Sequence, residues 1–257
     1  MRALNYTRMV EFMSLRLNML TWGEGYTRAL LLHGLNSSAA TWGRLAGPLT
    51  RELGCTALAP DLRGHGRSPR GQGYLIGDYV GDLVALGSEW DLVVGHSLGG
   101  LIAAHAAQDE DWTRRLVLID PALDIDEAVF DAVAEANLGE IADPPSAVQF
   151  QRANPRWSDE DARLKAEAVR RASPEMVERT LFDNAPWRHA HLLASVAIPT
   201  LVLGADPALD AVFGPDQGQE ASANPFVTYE AVGGAGHSVH RDDPDAVVAA
   251  IRDWASG

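Results

Sequence analysis

Six short apolar runs, each closed by Gly, Pro or a polar cluster, set the rhythm of this chain. They are "ALLLHG" (29–34), "CTALAPD" (55–61), "DLVVGHS" (91–97), "RLVLIDP" (115–121), "PTLVLGADP" (199–207) and "PFVTYEAV" (225–232). Runs rich in Leu and Val with little polar alternation suit strands covered on both faces. Between them, "WGRLAGPLTREL" (42–53), "IGDYVGDLVAL" (76–86), "LGGLIAAHAAQ" (98–108) and "DPDAVVAAIRDWA" (243–255) carry helical spacing. Strand then helix, repeated, predicts an α/β fold: a mostly parallel twisted sheet covered by helices on both faces. Ahead of these runs, Met13, Leu15, Leu17 and Met19 alternate with Ser14, Arg16 and Asn18. That period of two belongs to a half-exposed strand and predicts an antiparallel edge.

The rhythm breaks once. Residues 124–195 contain helical and turn signals, such as "DEAVFDAVAEANLGEI" and "SDEDARLKAEAVRRASPEMVERTL", and no convincing strand. Ser158, followed by Glu160 and Asp161, reads as a helix start whose hydroxyl caps free amides. The predicted organisation is a core of residues 1–123 and 196–257 with a helical lid inserted at 124–195. Its aromatic residues Trp157, Phe182 and Trp187 are candidates to line a pocket, with core packing as the alternative. Trp42 is expected to anchor the first helix against the sheet.

Composition narrows the classes of partner. The 257 residues suit one domain with an insertion, and no apolar run approaches the roughly 20 residues that cross a bilayer. Thirty-five acidic residues against 21 Lys plus Arg give a net charge of −14, which repels phosphate backbones and anionic lipid surfaces. A small-molecule substrate, neutral or cationic, is therefore expected, with no nucleic acid and no membrane as partner. The only cysteine, Cys55, allows no intrachain disulfide, and "MRALNYTRMVEFMSLRL" lacks the apolar core of a signal peptide, so a cytoplasmic protein is expected. There is no metal-ligand spacing: His189 and His191 flank Ala190 in what reads as a helix of the insertion. No cofactor is called for.

The candidate chemistry starts at Gly95-His96-Ser97-Leu98-Gly99, a G-x-S-x-G pattern placed where a buried strand hands over to a helix. A turn that sharp forces its central residue into a strained backbone region, and Gly95, Gly99 and Gly100 supply room for it. The strain projects the Ser97 oxygen outward, while the new helix aims free amides, including that of Leu98, at developing negative charge. The plainer alternative makes Ser97 a helix cap.

With these residues the chain resembles the α/β-hydrolase family over nearly its whole length apart from the insertion. Three further stretches carry the likeness. "HGLNSS" (33–38) looks like the family's oxyanion loop, in which Leu35 would donate its amide. "DLRGHGRS" (61–68) is similar to the turn after the next strand, and "GGAGHSVH" (233–240) looks like the loop that carries a catalytic His.

The resemblance implies a serine nucleophile, a base and an acid in that chemistry. A Ser hydroxyl needs a base to take its proton, and His237 is that base, its loop loosened by glycines at 233, 234 and 236. His240 competes but reads as an exposed side chain beside the acidic "RDDPD". His33 and His96 read as residues that fix loops or border the pocket. The acid must lie between Ser and His in chain order. Asp206, two residues past Gly204, is assigned here, although the family more often places the acid three residues past that Gly, where Pro207 stands. Asp210 on the same loop and Asp120, at the end of the strand after the nucleophile helix, are the alternatives, and "IDPAL" also reads as a structural turn.

The catalytic set expected from sequence is thus Ser97, His237 and Asp206, with Leu35 and Leu98 as the oxyanion hole. The expected reaction is cleavage of a small or medium apolar ester-like substrate through an acyl-enzyme on Ser97, without metal. Ser at the elbow argues against epoxide hydrolase and haloalkane dehalogenase chemistry, which uses an Asp nucleophile. Thioester, lactone and carbon–carbon bond (vinylogous diketone) hydrolysis stay open. So does a reading from another class, a non-catalytic small-ligand-binding protein of the same fold.

Overall fold

The computed structural model describes residues 15–256. Seven strands form one sheet: β1 (Met19–Trp22), β2 (Thr27–Leu32), β3 (Cys55–Pro60), β4 (Leu92–His96), β5 (Leu116–Ile119), β6 (Thr200–Gly204) and β7 (Val227–Ala231), in the spatial order β1-β3-β2-β4-β5-β6-β7. β1 runs antiparallel to β3, and the other five pairings are parallel. The six apolar runs are therefore the six parallel strands. The antiparallel edge exists but starts later than the alternation suggested: Met13 and Ser14 lie outside the described residues, residues 15–18 form no strand, and pairing begins at Met19.

Strand periodicity separates two cores. Leu30, Leu32, Val93, Leu116, Leu118 and Val202 point to one face of the sheet, and Ala29, Leu31, Val94, Val117, Ile119 and Leu203 to the other. Because both sets are buried, the strands read as unbroken apolar runs. Helices α1 (Gly43–Leu53), α2 (Ile76–Leu86) and α3 (Leu98–Ala106) connect successive strands. Trp42, fully buried at the start of α1, packs in the second core.

Between β5 and β6 the chain inserts five helices, α4 (Glu127–Ala142), α5 (Ala147–Ala153), α6 (Asp159–Arg171), α7 (Pro174–Phe182) and α8 (His191–Ser195). Ser158 caps α6 as its sequence suggests, with Ser158 and Asp161 exchanging side-chain-to-backbone bonds. The two ends of the insertion meet: Ile125 N–H donates to Trp187 O (3.1 Å), His189 N–H donates to Leu123 O (3.1 Å), and Asp124 Oδ1 accepts the N–H groups of His189 and Ala190. After β6 come α9 (Pro215–Ala221), the single turn α10 (Val239–Asp242) and α11 (Pro244–Ser256).

Register decides what emerges at the carboxyl edge. Leu32 pairs with Gly95, His96 with Ile119, and Ile119 with Leu203. The residues that follow these four neighbouring strands, His33, Ser97, Asp120 and Ala205, consequently emerge along one edge, with Ser97 directly beside Asp120. The chain turns back on itself between β2 and β4, so this is also the topological switch point at which open α/β sheets leave a crevice.

Below that edge lies a belt of buried imidazoles. His33 Nδ1 donates to Gly34 O (2.8 Å), and its Nε2 accepts the Leu62 N–H (3.0 Å), so the ring is held neutral between two loops. His65 packs edge-on against it at 5.0 Å. Burial pushes His33 down to about 4 and His65 down to about 3, and it carries His96 and His240 well below the ordinary imidazole value. The folded chain refuses these protons while the unfolded chain accepts them below about pH 6.5. Conformational stability should therefore be level above pH 6.5 and fall as the pH drops from there toward 4, by about 1 kcal/mol per pH unit for each such imidazole. Urea unfolding at pH 7.5, 6.0 and 5.0 checks this; unchanged stability between pH 7.5 and 5.0 contradicts it.

Candidate active site

Ser97 sits at the junction of β4 and α3 with φ 53° and ψ −118°, a region that non-glycine residues rarely occupy. Its backbone is overdetermined there: its N–H donates to Ile119 O (3.1 Å), and its carbonyl accepts from Leu101 (3.1 Å) and Ala122 (3.2 Å). The flanking glycines are a packing requirement, since a Cβ on Gly95 would lie 2.5 Å from Gly99 O and one on Gly99 would strike the backbone of Leu32 and His33. The Ser97 side chain makes no capping bond to α3 and opens into a cavity of about 1110 Å³. That geometry answers the helix-cap alternative: the hydroxyl makes no bond to the helix, and the residue lines the cavity.

The same cavity is bordered by His237 and Leu35. Gly34 backs directly onto the elbow, where an added Cβ would stand 3.0 Å from Ser97 Cβ. The Gly34 carbonyl is held by the His33 ring. Because a trans peptide points its carbonyl and its N–H in opposite directions, that bond fixes the direction of the Leu35 N–H. Leu98 N–H is the first donor of α3 and has no partner within the helix. Among the described residues neither amide has an acceptor. The loop is braced by Asp61, whose carboxylate accepts the N–H groups of Ala39 (2.8 Å) and Arg67 (2.8 Å) and the amide of Asn18 (2.8 Å).

His237 is gripped at three points. Its N–H donates to Asp210 Oδ1 (3.0 Å), its carbonyl accepts from His96 Nε2 (2.9 Å), and its Nδ1 meets Asp120 Oδ2 at 2.6 Å. Nδ1–H donating to the carboxylate leaves Nε2 as the ring's free basic nitrogen. Asp120, fully buried, follows β5 with φ 40°. Its Oδ1 accepts the N–H groups of Ala205 (3.3 Å) and Phe213 (3.0 Å), and its Oδ2 also accepts that of Val212 (2.9 Å).

Asp206, the acid assigned from sequence, does not reach the imidazole. It is half-buried, and its carboxylate accepts the Ala208 N–H (2.9 Å) and the Gly234 N–H (2.6 Å), which hold it below the usual carboxylate range. Asp206 thus ties the β6 loop to the loop of His237, and the carboxylate that pairs with the ring is Asp120. The reason is register: Asp120 leaves the sheet beside Ser97, while Asp206 leaves one strand farther out. His240 is likewise not an exposed side chain but is buried between Trp42 and His96, with ring centroids 4.6 and 4.5 Å away. Trp157 and Trp187 line the cavity; Phe182 is half exposed and packs edge-on against Phe130. Arg241, buried in the cavity wall, had no signal in the sequence beyond following His240. Among the described residues no group of three His, Cys, Asp or Glu side chains is placed to hold a metal ion, and no helix is long and apolar enough to cross a membrane.

Comparison with known proteins agrees with this geometry. The profile of the alpha/beta hydrolase family matches residues 29–250. Lipase LipV of Mycobacterium tuberculosis is 38% identical over 145 residues, a stretch spanning 54% of this chain and 54% of that lipase. N-formylmaleamate deformylase of Pseudomonas putida is 28% identical over an alignment covering 93% of this chain and 92% of that protein. The crystal structure of E-2-(acetamidomethylene)succinate hydrolase superposes with a TM-score of 0.78 at 24% identity, over 94% of this chain and 95% of that one. A buried parallel sheet with a strained serine at its switch point, matched along most of its length by the family profile, places this chain in the alpha/beta hydrolase family.

Proposed function

We propose that the chain cleaves a small or medium ester-like substrate by acyl transfer through Ser97, with His237 as base and Asp120, in place of Asp206, as the carboxylate that orients it. The observation that carries this reading is the 2.6 Å contact between His237 Nδ1 and the fully buried Asp120, made in the wall of the cavity onto which Ser97 opens. A carboxylate whose other lone pairs already receive three backbone N–H groups stabilises an imidazolium without taking its proton.

On this reading Ser97 Oγ attacks the substrate carbonyl carbon as its proton passes to His237 Nε2. The amides of Leu35 and Leu98 receive the oxyanion. Collapse breaks the bond to the leaving oxygen, which takes the proton from Nε2, and an acyl-enzyme is left on Ser97. A water then gives its proton to Nε2 and attacks the same carbonyl carbon; as the bond to Ser97 Oγ breaks, Oγ takes that proton back from Nε2 and the acid is released. The insertion, residues 124–195, whose helices α4, α5 and α7 furnish a wall of the cavity with Val129, Val133, Phe150 and Leu181, acts in this proposal as a lid.

Two measurements test it. A fluorophosphonate probe should label the wild-type protein and fail to label Ser97→Ala; a folded wild-type protein inert to the probe and to a series of nitrophenyl esters of rising chain length would point to the non-catalytic alternative. With the best ester of that series, Asp120→Asn should lower kcat by about 10³- to 10⁴-fold by disturbing the tautomer and orientation of His237, whereas Asp206→Asn should stay within about threefold of wild type. The reverse order would reinstate Asp206 as the acid. A vinylogous diketone, assayed in parallel, separates carbon–carbon bond cleavage from ester hydrolysis.

A further inference from the structure

The cavity carries many charges, and all but one of those with a part in its walls are matched. Lys165 Nζ donates to Glu140 Oε2 (2.8 Å) and to Asn36 O (3.1 Å); Arg188 pairs with Glu127 (2.6 Å). Asp124 and Asp126 accept backbone N–H groups at the start of the insertion, Asp210 accepts that of His237, and Asp242 accepts that of Gly236 (2.8 Å). Arg241 is the exception. Its side chain is buried, its Nη2 donates to Ser37 Oγ (2.8 Å), its Cζ lies 4.8 Å over the Trp157 ring, and its Nε has no acceptor. Among the described residues no carboxylate pairs with it. The acid whose charge favours it most, Asp161, is bonded to Arg44 (2.9 Å) and to Ser158.

A guanidinium withdrawn from water without a counter-ion is costly in a chain of this size. Its surroundings do offset part of that cost, since the Trp157 face attracts a cation and nearby acids make the local potential more negative. What they leave open is donor capacity, in the group best shaped to take a carboxylate. The position of this donor is informative as well. Arg241 stands four residues beyond His237, and its partner Ser37 two residues beyond Leu35, so the cation is suspended between the two loops that flank Ser97 and lines the same cavity.

We propose that Arg241 is the anchor for a carboxylate on the substrate, so that the preferred substrate of this site is an acidic ester: an acyl chain with a free carboxylate at the end remote from the scissile carbonyl. Ser37 positions the guanidinium, Trp157 covers one face of it, and the apolar wall from α4, α5 and α7 takes the chain between the two ends. This deepens the hydrolase reading above and rests on it.

The test compares two nitrophenyl esters of equal length, the hemiester of glutaric acid and the ester of pentanoic acid, on wild type, Arg241→Gln and Arg241→Lys. Wild type should hydrolyse the hemiglutarate with the higher kcat/KM, and Arg241→Gln should lower the ratio of the two kcat/KM values by about 10- to 100-fold, as expected for loss of a charged hydrogen-bonded contact. Arg241→Lys should restore part of that ratio. A purely structural Arg241 predicts equal losses for both esters. Binding without turnover supplies a second readout: monomethyl glutarate should bind Ser97→Ala by calorimetry, and should lose that binding when Arg241→Gln is added. A wild-type ratio at or below one overturns the proposal even if Arg241→Gln fails to fold, and so does an unchanged ratio in the variant. Fluorophosphonate labelling of Ser97 with no preference for the acidic ester defeats the anchor alone, whereas absence of labelling defeats the hydrolase reading beneath it.

Discussion

A carboxylate sealed from water between β5 and β6 organises this molecule's chemistry. Asp120 has no solvent to neutralise it, so it collects donors: the N–H groups of Ala205, Val212 and Phe213 and the ring of His237. These four bonds bring in three segments. Ala205 follows β6, Val212 and Phe213 belong to the loop before α9, and His237 comes from the loop after β7. A buried anion this well supplied is rigid, and the rigidity passes to the imidazole at 2.6 Å. His96 and Asp210 complete the hold from the backbone side, gripping the carbonyl and the N–H of His237.

Strain is concentrated at the same edge. Four non-glycine residues among those described have positive φ, and Asn36, Ser97 and Asp120 are three of them. Asn36 lies in the loop of Leu35, and its amide bonds to the insertion at Asn137 O (3.1 Å) and Glu140 (3.1 Å). Three adjacent turns thus depart from relaxed backbone geometry where the sheet ends, and hydrogen bonds hold each one in place.

Much of the scaffold was legible in the residues. Strands buried on both faces wrote themselves as apolar runs, and α2 begins and ends where its periodicity does, at Ile76 and Leu86. Ser97 and His237 stood out because glycines crowd around each. The acid was harder to read, because chain order alone permits any carboxylate between Ser and His, and the loop after β6 offers Asp206 and Asp210 in a row. What separates Asp120 from them is lateral: the alignment of His96 with Ile119, which no local pattern records. His240 was misjudged for a related reason, since its neighbours in sequence are acidic while its neighbours in space are Trp42 and His96. Arg241 is similar, a charged residue in a charged stretch whose burial arises only when α10 packs against α1 and Trp157 covers the guanidinium.

The clasp at the root of the insertion has an architectural meaning. Leu123 to Ile125 and Trp187 to Ala190 are zipped together by backbone bonds and by Asp124, so more than sixty residues leave the sheet and return to it through a single narrow neck. The chain therefore divides its labour: the carboxyl edge of the sheet carries Ser97, Asp120 and His237, while the insertion furnishes the far wall of the chamber and, through Asn137, Glu140 and Lys165, part of the support of the Asn36 loop.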